Sequence, residues 1–421
     1  MHSFLRRLLP AILSFIFLQG VSALTLSEAL EQAEKHPVLQ QHALNIAGRR
    51  YEIIDATAKG PGSLAINSEN FGDEAGFDNL ETTVEYSLPL QNSARVSAKK
   101  KLAEENVRLS ELEKTTARWL IMSQTSRAFH RALVLRDLVV KASESIENSE
   151  KLLAASKIMV ESGSVAEQEV FQAELVLQQA KLEAEHIRGI REDASAELAQ
   201  AMGLDSLVVS EVTGSATADL EIPELAKLEE IIFRSHPDIV ARQLEISQTA
   251  ARLELLKAEN HPSWNLTAGA RHSRETGRGD FLVGISADLP RSGDNRGARK
   301  ALQEDIRRLT LERSNSEREL RLRLQSDWQR CHRLQEQVKK LRDAILPAAW
   351  QLFELSLTGY QLGKTDQIVV LQARKDFLAE KENYLQRLEE LYEAVNSIES
   401  LAGYAGSFDF SSAAADPAKN L

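Results

Sequence analysis

Cysteine, histidine and paired acids are the side chains best able to bind metals or catalyse, and here they are few and dispersed. Cys331 is the only cysteine, so no intramolecular disulfide can form. It falls on an apolar seven-residue repeat, which makes it a small core residue rather than a nucleophile. The nine histidines are scattered. His36 and His236 occupy equivalent helix ends before a proline, where capping or packing is the expected role; His130 and His332 lie inside long helical stretches. The acid pairs Glu104-Glu105 and Glu389-Glu390 stand at coiled-coil spacing and read as solvated faces. There is no phosphate-cradling glycine loop, no pair of metal ligands spaced along a helix and no nucleophile elbow. The sequence therefore offers no catalytic, cofactor or metal-binding set, and function has to be sought in shape and charge.

Composition narrows the shape. Aromatics are 5% of the 421 residues, charged residues 27%, and the net charge is −11. Glu, Lys, Arg, Gln, Ala and Leu dominate, the mixture of long coiled-coil helices rather than compact domains. An acidic chain of this kind is a poor nucleic-acid binder, because phosphate backbones reward basic faces. At the start, Arg6-Arg7, the apolar run Leu8–Leu18 and the small-x-small site Val21-Ser22-Ala23 read as a secretory signal peptide over residues 1–23. Leu24, not a cysteine, directly follows Ala23, so lipidation there is excluded. Nothing later in the sequence approaches a transmembrane helix, and a chain of this kind enters a membrane only with strands.

The elements that position these residues come twice. His36-Pro37 returns as His236-Pro237, Ala98-Lys99-Lys100 as Ala298-Arg299-Lys300, Gly163 as Gly363, and Gly203 as Gly403. A period near 200 is too long for a solenoid unit and indicates a fused duplication. The expected division is a first repeat over 24–203, a linker over 204–224, a second repeat over 225–403 and a flexible tail over 404–421. Each repeat reads as short helices, two strands, a very long helix, a glycine turn and another long helix. The first short helix is placed at Leu26–Lys35 with a start near Ser27, and its copy at Leu228–Ser235. The long helices are placed at Ser93–Glu161 and Arg296–Gln361, each about 100 Å at 1.5 Å per residue. Pro347 predicts a kink or break in the second. Leu324, Cys331, Val338, Ile345 and Leu352 sit seven apart, with Leu320, Leu334, Leu341, Ala348 and Leu355 as a companion seam. Thr125, Ala132, Val139, Ile146 and Leu153 repeat the first seam at an offset of 199. Such spacing predicts paired, supercoiled helices.

Between the helices the period changes to two. In Leu80–Leu88, Leu80, Thr82, Val84, Tyr86 and Leu88 share one face, against Glu81, Thr83, Glu85 and Ser87. In Phe281–Leu289, Phe281, Val283, Ile285, Ala287 and Leu289 do the same. Weaker strands precede them at about 64–70 and 264–271. Apolar-out, polar-in alternation over about ten residues is the signature of a membrane barrel strand. Val84, Tyr86, Val283 and Ile285 are the candidate lipid-facing side chains. An ordinary hairpin packed on a core is the alternative.

With these residues in view, the sequence resembles the TolC-like outer-membrane efflux family of Gram-negative tripartite export systems, over nearly the whole mature chain. Leu24-Thr25-Leu26-Ser27-Glu28-Ala29-Leu30 followed by His36-Pro37 is similar to that family's opening. Ser68-Glu69-Asn70-Phe71-Gly72, Glu81-Thr82-Thr83 and Leu88-Pro89-Leu90 resemble its CzcC-like heavy-metal branch. The resemblance implies a mainly α fold with a small β part: an α-helical barrel built from two tandem repeats, plus four strands given to a trimeric twelve-stranded transmembrane β-barrel. It implies a homotrimer in the outer membrane with its helices in the periplasm, working with a periplasmic adaptor (membrane fusion protein) and an inner-membrane RND-type pump. The turns at Gly163 and Gly363, with Lys364, then become the periplasmic tips that dock on the adaptor. Relatives guard that entrance with an acidic ring, but the matching positions here are Val369 and Gln372. Any acidic gate would have to use Glu167, Glu169 or Asp366.

The resulting expectation is a passive exit duct, not an enzyme, with metal cations as cargo. A drug- or protein-exporting duct of the same fold remains open at this point, as does a periplasmic coiled-coil adaptor or structural protein without a barrel.

Overall fold

Local signals set the element ends, and the two halves use them alike. The structure is a computed structural model that describes residues 24–70, 72, 76–205, 211–214, 219–289 and 295–402. The signal segment, the tail and Gly403 lie outside these. In the first half, helix α1 (Leu26–Ala33) and helix α2 (Pro37–Thr57) lead into strands β1 (Ser63–Glu69) and β2 (Glu81–Leu90). Helix α3 (Ser93–Glu161) and helix α4 (Gln168–Ala201) follow. The second half repeats the order with α5 (Leu225–Ser235), α6 (Pro237–Glu259), β3 (Ser263–Ser273), β4 (Arg278–Asp288), α7 (Arg296–Lys340), α8 (Leu346–Gln361) and α9 (Gln367–Ala402).

Caps explain the starts. Helix α1 begins at Leu26, as expected, because Thr25 and Glu28 form a reciprocal capping box. It ends at Ala33, short of the His-Pro pair. His36 and His236 cap the next helices through Nδ1, which accepts from the backbone N–H of Val38 and Asp238 at 3.2 Å. Proline follows each at the first helical position, where no N–H is needed. Asn92 caps α3 in the same way, through the N–H groups of Ala94 and Arg95.

The long second helix departs from the expected seam, and the reason is one residue. Ile121 and Leu320, Thr125 and Leu324, Ala132 and Cys331, Leu135 and Leu334 are all buried and correspond at an offset of 199. Ser156 and Ser356, also buried, correspond at 200. The extra residue of the second half is absorbed in a single π-turn, Leu341–Ile345, where the Leu346 N–H reaches back five residues to the Leu341 carbonyl. Just upstream of Pro347, the helix thus widens rather than breaks. One added residue turns the following helix by about 100° relative to a continuous α-helix. Ile345 and Leu355 are consequently exposed and Leu352 is 53% exposed, while Phe353 at 2%, Ser356 and Tyr360 take over the buried face. The heptad read straight through Pro347 is corrected at that point.

Packing occurs in separate clusters along the helices. One, around Leu228, Ile232, Leu324, Val338, Leu391 and Ile398, joins α5, α7 and α9. Its counterpart joins α1, α3 and α4 around Leu26, Phe129, Leu133, Leu198 and Met202. A third, with Leu152, Ala173, Phe353, Tyr360 and Val370, ties the two helical hairpins together. The described residues of the connection between the halves, 211–214 and 219–224, make defined contacts. Val212 bridges Leu24 in parallel, and Arg136 donates to the carbonyls of Val212 and Gly214 at 3.0 Å. At the equivalent place in the second half Gln335 donates to the Leu220 carbonyl at 2.6 Å. Glu105, expected to be solvated, is buried beside Arg108, 2.9 Å away. Cys331 is fully buried, and burial pushes its thiol up to about 12, as befits an inert core residue.

His130 gives this packing a pH dependence. It is buried against Tyr392, ring stacked at 4.5 Å, and Phe129. Burial pushes its imidazole down to about 4. Arg127 and Arg131 of α3, Glu197 of α4 and Glu389 and Glu393 of α9 line the adjoining cavity. A base depressed on folding contributes stability that is complete above its ordinary value near 6.5 and is lost as pH falls towards 4, because the unfolded chain then takes up the proton. The loss is on the order of 3 kcal/mol for a shift of this size. His130→Phe should flatten the decline of the helical melting temperature between pH 6.5 and 4, followed by circular dichroism. An unchanged profile would assign the acid sensitivity to the carboxylates.

Candidate functional site

The four strands form one antiparallel sheet in the order β1-β2-β3-β4, and its register decides which residues share a face. Ile66 pairs with Val84, Val84 with Ala270, and Ala270 with Phe281. Leu64, Tyr86, Ala268 and Val283 form the next row, and Leu88, Leu266 and Ile285 the one after. The apolar residues of both halves thus make one continuous face. The other face carries Asn67, Thr83, Arg271 and Asp280 in one row, and Ala65, Glu85, Gly269 and Leu282 in another.

Burial along these strands is inverted relative to a soluble hairpin. From Thr83 to Leu90 and from Ser263 to His272, the apolar-face positions are the exposed ones, while their polar-face neighbours are half-buried or buried. Val283 is 82% exposed and Ile285 65%. A hairpin packed on a protein core would hide its apolar face. This one turns that face outward, and Val84, Tyr86, Val283 and Ile285 all lie on it. Gly269 marks the tight side: a Cβ there would come within 2.6 Å of the Val84 carbonyl. Arg271 meets Glu81 at 3.6 Å and Thr83 at 3.2 Å on the polar face.

The helical hairpins turn about 100 Å away along α3. Gly163 and Gly363 have φ of 71° and 67°, the left-handed region that costs glycine least. The bonds are those of a Schellman end. Gly163 N–H reaches the Val160 carbonyl and Ser164 N–H the Met159 carbonyl; Gly363 and Lys364 repeat this with Tyr360 and Gly359. Lys364 is therefore held by its backbone at the tip, with its side chain exposed. Gly359 serves a different need, since a Cβ there would lie 2.8 Å from the Thr365 hydroxyl.

The three candidate entrance acids separate in the structure. Glu167 and Asp366 are exposed, at the starts of α4 and α9. Glu169 is half-buried and engaged: Tyr360 donates to its Oε2 at 2.7 Å across 191 residues of sequence. Tyr360 also contacts Ser156 Oγ at 3.2 Å, and Gln367 donates to Ser156 Oγ at 2.9 Å and to the Glu169 carbonyl at 2.8 Å. Burial, reinforced by the Glu169 carboxylate, pushes the Tyr360 hydroxyl up to about 12. Tyr360, Gln367 and Ser156 were not singled out in the sequence. The available signal was polar residues on a buried helix face, and it becomes readable only once the π-turn is known. Val369, equivalent to Glu169, is exposed, and Gln372 bonds Asp376 within its own helix. No group of three or more His, Cys, Asp or Glu residues able to hold a metal occurs among the described residues.

Tyr360→Phe keeps the ring in the third cluster but removes the donor that links the hairpins. A hydrogen bond to a charged group contributes about 1.5–3 kcal/mol. The expected outcome is faster amide exchange around 156–170 and 359–370 with the strands unchanged. Equal exchange in both proteins would mean the contact stabilises nothing.

Comparisons with known proteins agree with this geometry. The profile of the family described as outer membrane efflux protein matches residues 54–204 and 231–404, one segment in each half. The cobalt-zinc-cadmium resistance protein CzcC of Cupriavidus metallidurans is 23% identical over 333 residues, covering 76% of this chain and 77% of that protein. Among solved structures, CusC superposes with a TM-score of 0.74 at 15% identity, over 90% of this chain and 92% of that one. The outer membrane protein VceC of Vibrio cholerae gives 0.71 at 16% identity, over 90% and 96%. These similarities carry the fold, with its helical tube and small sheet. With the family profile matching most of its length in both halves, the chain belongs to the outer membrane efflux protein family, seated in the outer membrane by its strands with its helices extending into the periplasm.

Proposed function

We propose that the chain is one subunit of a homotrimeric exit duct, passive itself, through which an inner-membrane RND-type pump and a periplasmic adaptor expel metal cations. The observation that carries this is the inverted burial of β2 and β3 in a four-stranded sheet with an apolar face and a polar face, whose edge strands β1 and β4 have no further partner among the described residues. An open sheet edge in hydrocarbon leaves backbone groups unsatisfied, so the sheet has to close with others. Three copies close it at twelve strands, with the polar face around a lumen. The resistance protein's name supports metal cations as cargo, and the net charge of −11 suits them. Gly163, Gly363 and Lys364 are assigned to adaptor docking. Glu167 and Asp366 are assigned to the entrance field, and Glu169 to both the entrance and the hold on Tyr360. The division into repeats at 24–203 and 225–403, joined by 204–224, is part of the same reading, as is removal of residues 1–23.

The assembly is tested by expressing the full-length gene and examining outer-membrane fractions by native mass spectrometry. The expected species is a trimer whose chains begin at Leu24; a soluble periplasmic monomer would overturn the reading. Restoration of cobalt, zinc or cadmium tolerance in a strain lacking its own duct, together with the cognate pump and adaptor, tests the cargo.

Two sets of variants test the roles of residues. Val84→Arg or Ile285→Arg should impair trimer insertion, by roughly 2–4 kcal/mol near the bilayer midplane. Glu85→Arg, on the opposite face, should assemble normally. Equal losses on both faces would show the outward assignment to be wrong. At the entrance, Glu167→Lys with Asp366→Lys should lower cation selectivity in planar bilayers, since charge at a narrow mouth focuses the field. Unchanged selectivity would leave these acids as helix-start residues, where a negative charge contributes about 0.3–1 kcal/mol.

A further inference from the structure

We infer that the cavity beside the π-turn, between the two helical hairpins, is a binding site for a small amphipathic anion with an aromatic body. The cavity has a volume of about 590 Å³ and is bounded by α3, the π-turn and start of α8, and α9. That is the size of a small-molecule site, too small for a docked helix. It exists because the extra residue turns α8: Ile345 and Leu352 leave the seam, and Pro347 and Trp350 stand at the edge of the space instead. From α9, Phe377, Lys381 and Tyr384 face the same space, four and three residues apart on one stripe. Trp350 and Phe377 are 5.1 Å apart between ring centres and form an aromatic wall.

Charge selects the ligand. Arg342 is held by Asp219 and Asp343 at 2.7 and 2.6 Å. Asp137, a carboxylate of the lining, is held by Arg136 at 2.7 Å, and Lys141 is held by the other lining carboxylate, Glu144, at 3.1 Å. Lys381 differs from Arg342 and Lys141. Its ammonium donates to the Lys141 main-chain carbonyl at 3.3 Å and lies 5.7 Å from the Phe377 ring, and no carboxylate among the described residues is within ion-pair distance. Burial pushes this amine down to about 8, against the pull of the Glu144 charge. A half-buried cation over an aromatic wall, bonded only to a neutral carbonyl, is completed by an anion whose body is itself aromatic. A carboxylate, sulfonate or phosphate monoester on a one- or two-ring body fits that description. Such a ligand touches both hairpins at once, so its binding reports on their separation. The site lies within one chain and does not depend on how the strands assemble.

The test uses the full-length protein in amphipol, with 2-naphthalenesulfonate as the anionic probe and 2-naphthalenemethanol as its neutral counterpart, by isothermal titration calorimetry. The sulfonate should bind once per chain and more tightly than the alcohol. Lys381→Met removes the charge, keeps the length and relieves a buried cation, so folding is preserved. It should weaken the sulfonate at least tenfold and leave the alcohol unchanged. Lys381→Arg should stay within about threefold of wild type. Failure of the wild-type protein to bind the sulfonate, equal affinity for both probes, or a Lys381→Met affinity equal to wild type would each overturn the inference.

Discussion

Backbone hydrogen bonding in a solvent without water is the constraint on which the rest depends. A strand surrounded by lipid has to pair along both edges, because each unsatisfied N–H or carbonyl there costs several kcal/mol. Four strands in the order β1-β2-β3-β4 pair internally and leave two edges. The proposed closure with two further copies supplies the missing partners. Side-chain placement agrees with the proposed closure: Val84, Tyr86, Val283 and Ile285 share one exposed face, and Thr83, Glu85 and Arg271 lie on the other.

The duplication meets this constraint economically. Each half contributes one hairpin of strands, and each hairpin leads into a long helix that returns after a glycine turn. The sheet therefore fixes where the tube begins and the helix length fixes where it ends. Within the chain the glycines at the turns serve backbone geometry, since their φ values are positive and a Cβ at either would meet nothing. Contacts between the halves then make one body of two hairpins. Near the waist Val134 of α3 joins the apolar cluster of Leu385 and Leu388, and His130 stacks on Tyr392. Toward the tips polar residues enter the same interface: Lys381, Arg374 on the hydroxyls of Ser145 and Ser149, and Gln367 with Tyr360 on Glu169.

Polar contacts in a buried seam are weaker per area than apolar packing but more specific in geometry, because each donor needs its acceptor in place. The tip half of the molecule thus adds a few directional bonds to the apolar contacts of Leu152, Phe353 and Val370, whereas close packing dominates the waist. The π-turn lies at the boundary between these regimes, which is also where the cavity opens. One inserted residue produces the cavity, the change of seam and the position of Tyr360 opposite Glu169.

Much of this was legible in the sequence because it is encoded by near neighbours. A period of two marks strands, a seven-residue period marks paired helices, and the recurrence of His-Pro, of the basic Ala-x-Lys stretch and of the tip glycines marks the halves. The ends of α3 and the positive φ at Gly163 and Gly363 follow from such local rules. The burial of Glu105, the contacts of residues 211–214, the exposure of Leu352 and the engagement of Glu169 do not. The last depends on a partner far away in sequence: Tyr360 and Glu169 are 191 residues apart. The seam beyond Pro347 depends on whether the helix takes in one extra residue as a π-turn. A heptad describes which residues of a helix could face a neighbour, given an unbroken helix. Only the packed structure decides where that helix is rotated, and hence which of its side chains meet the other hairpin.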